Sequence, residues 1–397
     1  MSLIKSLLRN LVPRQPDARI SRPSIDAPAN KPDYYFAGYP GGLFMTFAPG
    51  IYQGLGGRVG AVIADSDAIG HAHMSINDHA VPIISLAEFS ERARERPAEV
   101  IHFFEHGAQF GSIPRIGAMG DVRVTDFIAK LDQFGLSHTY LPVREERQWW
   151  AAQTVERIRV ASERLGDERS RRTLAARIAA ITGGSRQLLM EVKVRGEHEY
   201  FNTTWTTDSL VPRSDETYVD VGAAHGDTVD KFVDVTGGKF KAIHAFEPTP
   251  GQYRELQQRA QADPRIHSYR KAVGDAPGML VFYDNPLVPF GGNAISGGAY
   301  GQPIEVECVR LDDSIDNCTL IKMDVEGFET RVLGGARRLI SECKPDMAVT
   351  CYHYPQDLFE IMDCVEAIHS YKNVALRHYA PGLYDSILLF SDRQSFA

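Results

Sequence analysis

Several short stretches in the second half of the chain put carboxylates, glycines and a histidine where a ligand site needs them. The first is Asp220-Val-Gly222-Ala223-Ala-His-Gly226-Asp227, which follows an apolar run and precedes a helical pattern. Glycines at such a turn let the backbone close on a ligand before the chain enters the helix. The spacing is G-x-x-x-G, not the G-x-G-x-x-G of a pyrophosphate cradle. A ligand without phosphate but with an amino-acid tail fits that turn, and S-adenosylmethionine is such a ligand. Asp220 is expected to hold the ammonium of that tail, directly or through water. Gly222, Ala223 and Gly226 supply the cradle. Glu247 ends the next strand, in Ala-Phe-Glu-Pro, roughly 20 residues further on, where an acid takes ribose hydroxyls. Each such charged bond contributes about 1.5–3 kcal/mol. Asp275 closes Lys271-Ala-Val-Gly-Asp275. It reads as an acceptor for the adenine amino group or as a plain turn acid, since Gly-Asp is turn chemistry.

The second group lies in Ile321-Lys-Met-Asp324-Val-Glu326-Gly-Phe-Glu329. Alternate residues of a strand share a face, which puts Lys322, Asp324 and Glu326 on one side. Charges are tolerated on a central strand at its carboxyl end, the edge at which open α/β sheets bind ligands. His353, in Cys-Tyr-His-Tyr after the following strand, sits at the same height as a base, a substrate hydrogen-bonder or a satisfied loop histidine. Methyl transfer is an in-line displacement whose main demand is a well-placed oxygen nucleophile. A carboxylate or histidine takes the hydroxyl proton. Asp324, Glu326 and His353 are therefore the expected catalytic set. Their oxygen and nitrogen donors also suit a divalent metal, but the reading adopted is metal-free.

The elements that must position these groups alternate between strand and helix from about residue 215 to the end, which implies a parallel α/β sheet. TYVDVG, KAIHAFEP, RIHSYRKAV, TLIKMDVEG and MAVTCYHY read as strands separated by helices, with MLVFYDN and PIEVECVRL as added strands. NVALRHY and YDSILLFS close the chain as an antiparallel pair, an ending that suits a methyltransferase-type sheet. Further upstream, LFMTFAP, RVGAVIADSD, AVPIIS, EVIHFFE and SHTYLPV read as short strands, and VTDFIAKLDQFGL as a helix. The expected organisation is a flexible Pro-rich leader over 1–32 and a small α/β Rossmann-like domain over 33–145. A helical connector over 146–200 and the S-adenosylmethionine-dependent domain over 201–397 follow.

Composition narrows the partners. Hydrophobic residues make up 43% and charged residues 24%, enough apolar material for packed cores. The net charge of −8 argues against broad nucleic-acid binding, which needs a positive surface. The five cysteines are odd in number and show no zinc spacing, as for reduced thiols. No apolar run is long enough to span a membrane, and the expected location is the cytoplasm. The expected substrate is a small molecule or glycan, and a second copy of the chain is a candidate partner.

Taken together, these stretches resemble the FkbM-type methyltransferase family. The matching pieces are residues 218–227, Ala-Phe-Glu-Pro at 245–248, Ala-Val-Gly-Asp at 272–275, Val-Arg-Leu-Asp-Asp at 309–313, the Lys-Met-Asp-Val-Glu-Gly-Phe-Glu stretch and Val-Leu-Gly-Gly-Ala at 332–336. The resemblance implies a seven-stranded class I methyltransferase sheet and O-methylation, often of sugars or secondary metabolites. It also implies Asp220, Gly222, Gly226 and Glu247 as cofactor residues. His225 stands where a common form of the family pattern has Asn or Tyr.

The first half resembles the Rossmann-like accessory region found ahead of some members, on Val62-Ile63-Ala64-Asp65 and Ala80-Val-Pro-Ile-Ile84. Asp65 is placed as a ribose acid would be. Gly50, Gly54, Gly56 and Gly57 form no pyrophosphate turn, so a structural role is the preferred reading. The competing functions are an oxidoreductase binding NAD or a nucleotide sugar through this half, and a non-catalytic binding protein. The Gly-rich loop from Asn285 to Gly301 is expected to act as a lid over a neutral substrate. Leu210-Val-Pro-Arg-Ser214 matches a thrombin-type site in an expected linker, where cleavage would split the halves.

Overall fold

The computed structural model describes residues 32–39, 42–64, 73–104, 107–136, 144–183, 186–203, 207–284 and 302–396. The leader, Asp65, the strand expected at 137–143 and the proposed lid lie wholly or almost wholly outside the described residues. The chain forms two compact units. The first comprises Met1–Val155, Ala175–Val192 and Ala380–Leu383. The second comprises Glu156–Leu174, Lys193–Tyr379 and Tyr384–Ala397. The expected connector is thus shared: 156–174 and 193–200 go with the second unit, 146–155 and 175–192 with the first.

The first unit contains β1 (Asp33–Tyr39), β2 (Val59–Ala64), β3 (His73–Ile76), β4 (His79–Ile84), β5 (Ala98–His102) and β6 (Val122–Asp126). They form one sheet in the order β3-β4-β2-β1-β5-β6. Neighbours are parallel except for the β3–β4 hairpin. Asn77 and Asp78 make its two-residue turn with φ of 50° and 64°, the positive values such hairpins need. Every residue of β5 is buried, as in a parallel sheet covered on both faces.

Two readings of this half change. LFMTFAP lies in the helix Gly42–Gly54, and the first strand is β1, just before it. A short apolar run does not distinguish a buried helix from a strand. The first strand therefore ends at Tyr39 and the first helix begins at Gly42, with Gly50 and Gly54 inside that helix. VTDFIAKLDQFGL is half strand: Val124–Asp126 end β6, and Asp126 caps the helix Phe127–Phe134 by accepting from Ile128 N at 3.1 Å.

The second unit contains β7 (Thr217–Val221), β8 (Ala242–Phe246), β9 (Ile266–Tyr269), β10 (Ala272–Val273), β11 (Gly278–Asp284), β12 (Gln302–Val309), β13 (Leu320–Met323), β14 (Asp346–Thr350), β15 (Asn373–His378) and β16 (Ser386–Ser391). Seven of them form a sheet in the order β15-β16-β14-β13-β7-β8-β9. Only β16 runs antiparallel to its neighbours. This is the seven-stranded methyltransferase-type sheet. Its central strands β7, β13, β14 and β16 are buried along their whole length, which explains their Val, Ile, Leu and Met content. The expected third strand divides. Ile266–Tyr269 joins the main sheet, while Ala272–Val273 pairs with β12 in a separate three-stranded sheet, β10-β12-β11.

The thrombin-type sequence is not a linker. Leu210 is buried and its N–H donates to Tyr200 O at 3.0 Å. Val211 N donates to Gln394 Oε1 at 3.0 Å, and Arg213 Nε to Glu216 Oε1 at 3.3 Å. A protease must draw several residues into an extended strand, which these bonds oppose. The folded chain should therefore resist thrombin over hours and be cut after Arg213 only in denaturant. Rapid native cleavage on a gel would contradict this placement.

Candidate active site

Because β7, β8, β13 and β14 are parallel, their carboxyl ends lie on one edge of the sheet. The turn after β7 begins at Gly222, with φ of +79°. A Cβ there would stand 1.8 Å from the carbonyl oxygen of Asp324, so only glycine lets the ends of β7 and β13 approach this closely. Gly226, at φ +87°, leads into the helix Asp227–Thr236. Ala223 is fully buried beneath the turn, and its N–H donates to Phe246 O at 3.0 Å.

Glu247 follows β8 and is 4% exposed. Its carboxylate accepts from Ala224 N at 3.0 Å and Thr249 N at 2.7 Å, which ties it to the glycine turn. Burial raises its pKa against the opposing pull of these bonds. Asp220 lies in β7 and is wholly buried, with Lys322 Nζ 3.2 Å away and the Thr228 hydroxyl donating to it. It holds Lys322, which donates to Gly222 O at 2.6 Å and so braces the turn from below. Burial alone would discharge Lys322, but Asp220 and Asp324 outweigh it and keep the ammonium charged.

The second group gathers at the ends of β13 and β14. Asp324 Oδ2 accepts from the Tyr200 hydroxyl at 3.0 Å, and Oδ1 accepts from Tyr352 at 3.2 Å with Thr350 Oγ1 at 3.3 Å. Glu326 adopts φ +56°, a left-handed conformation unusual for its type and often found at working sites. His353 is 1% exposed. Its Nδ1 lies 3.1 Å from Glu329 Oε1, and its Nε2 lies 3.6 Å from Asp324 and 3.5 Å from Glu326. Burial opposes charging of the ring, yet these three carboxylates push its pKa up to about 10. His353 is therefore an imidazolium at neutral pH. Three carboxylates around one buried ring favour its protonated form. Asp324, Glu329 and His353 each offer a donor atom within 4.8 Å of the others.

Lys322 with Asp220, and His353 with Glu329, are internally neutral pairs. Asp324 and Glu326 keep 24% and 22% of their side chains exposed. Glu199, pushed up to about 7 by burial and by Asp324, adds a further acid nearby. This edge is acidic and suits a cationic ligand. Asp275 stands apart from that acidic group in its contacts. It pairs with Arg331 at 2.6 Å and is partly exposed.

Residues 220–372 match the family model of the methyltransferase FkbM domain. This part of the chain is similar to the FkbM methyltransferase domain. A search of curated proteins gives no match. Among solved structures, the chain is similar to the methyltransferase FkbM of Methylobacillus flagellatus KT, at 24% identity and a TM-score of 0.67. That likeness covers 91% of this chain and 90% of the other, so the fold extends over both units. Aeropyrum pernix fibrillarin, in complex with S-adenosyl-L-methionine, matches over 46% of this chain and 69% of its own, at 15% identity and a TM-score of 0.29. Methyl transfer is the activity class of the FkbM domain.

Several groups at the FkbM site escaped the reading of motifs. Glu329 stood in the quoted stretch without a role, and Tyr352 is the neighbour of His353. Asp357, pushed up to about 7 by burial and by Glu329, accepts from Tyr354 N at 2.7 Å and steadies the turn that carries His353. Glu199 and Tyr200 come from the expected connector, where neither spacing nor periodicity marks them.

Proposed function

We propose that the chain is an S-adenosylmethionine-dependent O-methyltransferase acting on a hydroxyl of a sugar, glycan or secondary metabolite. The observation that carries the reading is the meeting, within the FkbM domain, of the Gly222–Gly226 turn and Glu247 with the acidic group of Asp324 and Glu326. The turn has no room for side chains at Gly222 and offers no phosphate cradle. Its acidic rim fits a sulfonium and an ammonium. When bound, S-adenosylmethionine supplies a methyl group on sulfonium, open to in-line attack by oxygen. Glu247 would hold the ribose hydroxyls and the turn the amino-acid tail. Glu326, part-exposed and 3.5 Å from His353 Nε2, is the carboxylate assigned to accept the substrate's hydroxyl proton. Asp324, already accepting from two phenols, orients rather than deprotonates. His353 Nε2 stands beside both acids, 3.6 Å from Asp324 and 3.5 Å from Glu326.

Calorimetric titration of the full chain tests the reading, with NAD and UDP-glucose as parallel ligands. S-adenosylmethionine should bind saturably, and Glu247→Gln should weaken it about tenfold through loss of charged bonds to ribose. Binding of NAD in its place would move the activity to the first unit and overturn the proposal.

A further inference from the structure

We propose that Tyr200, with Tyr352, is a positioning residue of the methyl-transfer site, fixing the Asp324 carboxylate beside the Gly222 turn. A segment ahead of the first sheet strand then belongs to the working site. The inference rests on the proposed function and deepens it.

Asp324 has just left β13, and its backbone oxygen is the atom that a side chain at Gly222 would strike. Its carboxylate is therefore next to the turn assigned to the cofactor. Tyr200 donates to Oδ2 at 3.0 Å, and Tyr352 donates to Oδ1 at 3.2 Å while lying 3.4 Å from Oδ2. Bonds from both sides stop the carboxylate rotating. The remaining exposed surface of Asp324 then faces a ligand as a fixed anion.

The Tyr200 hydroxyl is not needed to anchor its own segment. The backbone there is already tied by Leu210 N to Tyr200 O and Asn202 N to Leu210 O, both at 3.0 Å. Phe201 beside it is fully buried, and the Tyr200 ring packs in the same core as Tyr218 and Ala223. Tyr200 nevertheless sits at φ +60°, a strained conformation for an aromatic residue. That backbone delivers the ring over Lys322, with Nζ 5.5 Å from its centroid, and the hydroxyl onto Asp324. Burial, followed by Asp324 and Glu199, raises the phenol's pKa well above its usual value, so it remains a donor.

A double-mutant cycle read by calorimetry with S-adenosylmethionine tests the inference. Asp324→Asn should weaken binding, and Tyr200→Phe, which keeps the ring, should weaken it about tenfold. In the Asp324→Asn background, Tyr200→Phe should have little further effect, because the carboxylate it serves is gone. Tyr352→Phe should behave alike from the other oxygen, and melting curves should show all variants folded. Losses that simply multiply, or wild-type affinity in Tyr200→Phe, would overturn the positioning role while leaving the proposed function standing. Absence of S-adenosylmethionine binding in the unaltered chain would remove both.

Discussion

Gly222→Ala should abolish S-adenosylmethionine binding and lower the melting temperature on the order of 10 °C. Two effects combine. The residue has φ +79°, where a Cβ introduces strain of about 1–3 kcal/mol. The new methyl would also lie 1.8 Å from Asp324 O and 2.9 Å from its carbonyl carbon, both of them backbone atoms. Overpacking of this kind costs a further ~1–3 kcal/mol. Relief by movement is blocked on each side. Gly222 N donates to Phe246 O at 3.0 Å, Lys322 donates to Gly222 O, and Asp324 N is bonded to Val221 O at 3.0 Å. The two strand ends must separate, which moves the turn and Asp324 together. Gly251→Ala is the matching control, since nothing lies within 4 Å of its added methyl and it sits in the helix Pro250–Ala260. It should leave both melting and binding intact. A Gly222→Ala protein that melts and binds as the parent does would refute the close approach of β7 and β13.

His353→Gln should lower stability by about 3–5 kcal/mol, because it leaves Glu329 buried without its cation. The pH dependence carries the sign of the effect. His353 rises from 6.5 to about 10 in the folded chain, so its stabilisation is complete below pH 6.5 and is lost as pH climbs through about 10. Glu329 shifts the other way. Burial raises its pKa, but His353 outweighs that and holds it below 4.5, so its part is complete above that pH and is lost in acid. The difference in melting temperature between the parent and His353→Gln should therefore be largest from pH 4.5 to 6.5 and shrink toward pH 10. Parallel melting curves across pH 7–10 would show that His353 is not a buried imidazolium.

Much of the second unit was legible because its signals are local. Alternating strand and helix patterns, the Gly-x-x-x-Gly turn and an acid after the next strand follow from backbone demands that each short segment meets alone. Glu247 stands beside the turn, as its spacing implied. The first unit was less legible. Its elements are short, so the apolar run LFMTFAP of a helix read as a strand, while β1 and β3, which mix polar and apolar residues, were missed. The third strand of the second unit broke at Arg270 and Lys271 because its two halves pair in different sheets, a choice made by distant partners.

Residue types and spacing by themselves determined the α/β class, the glycine turn and which carboxylates stand at the sheet's carboxyl edge, while the seven strands followed from the family resemblance. The tertiary structure decided their roles. Asp220 and Lys322 are far apart in sequence and neutralise each other only because β7 and β13 lie side by side. His353 becomes a cation because Asp324, Glu326 and Glu329 surround it in a buried space. Tyr200 enters the site from a segment with no motif at all. Protonation and orientation depend on charges and donors that meet only through packing, and a buried ion's state is set by the neighbours the fold assembles around it.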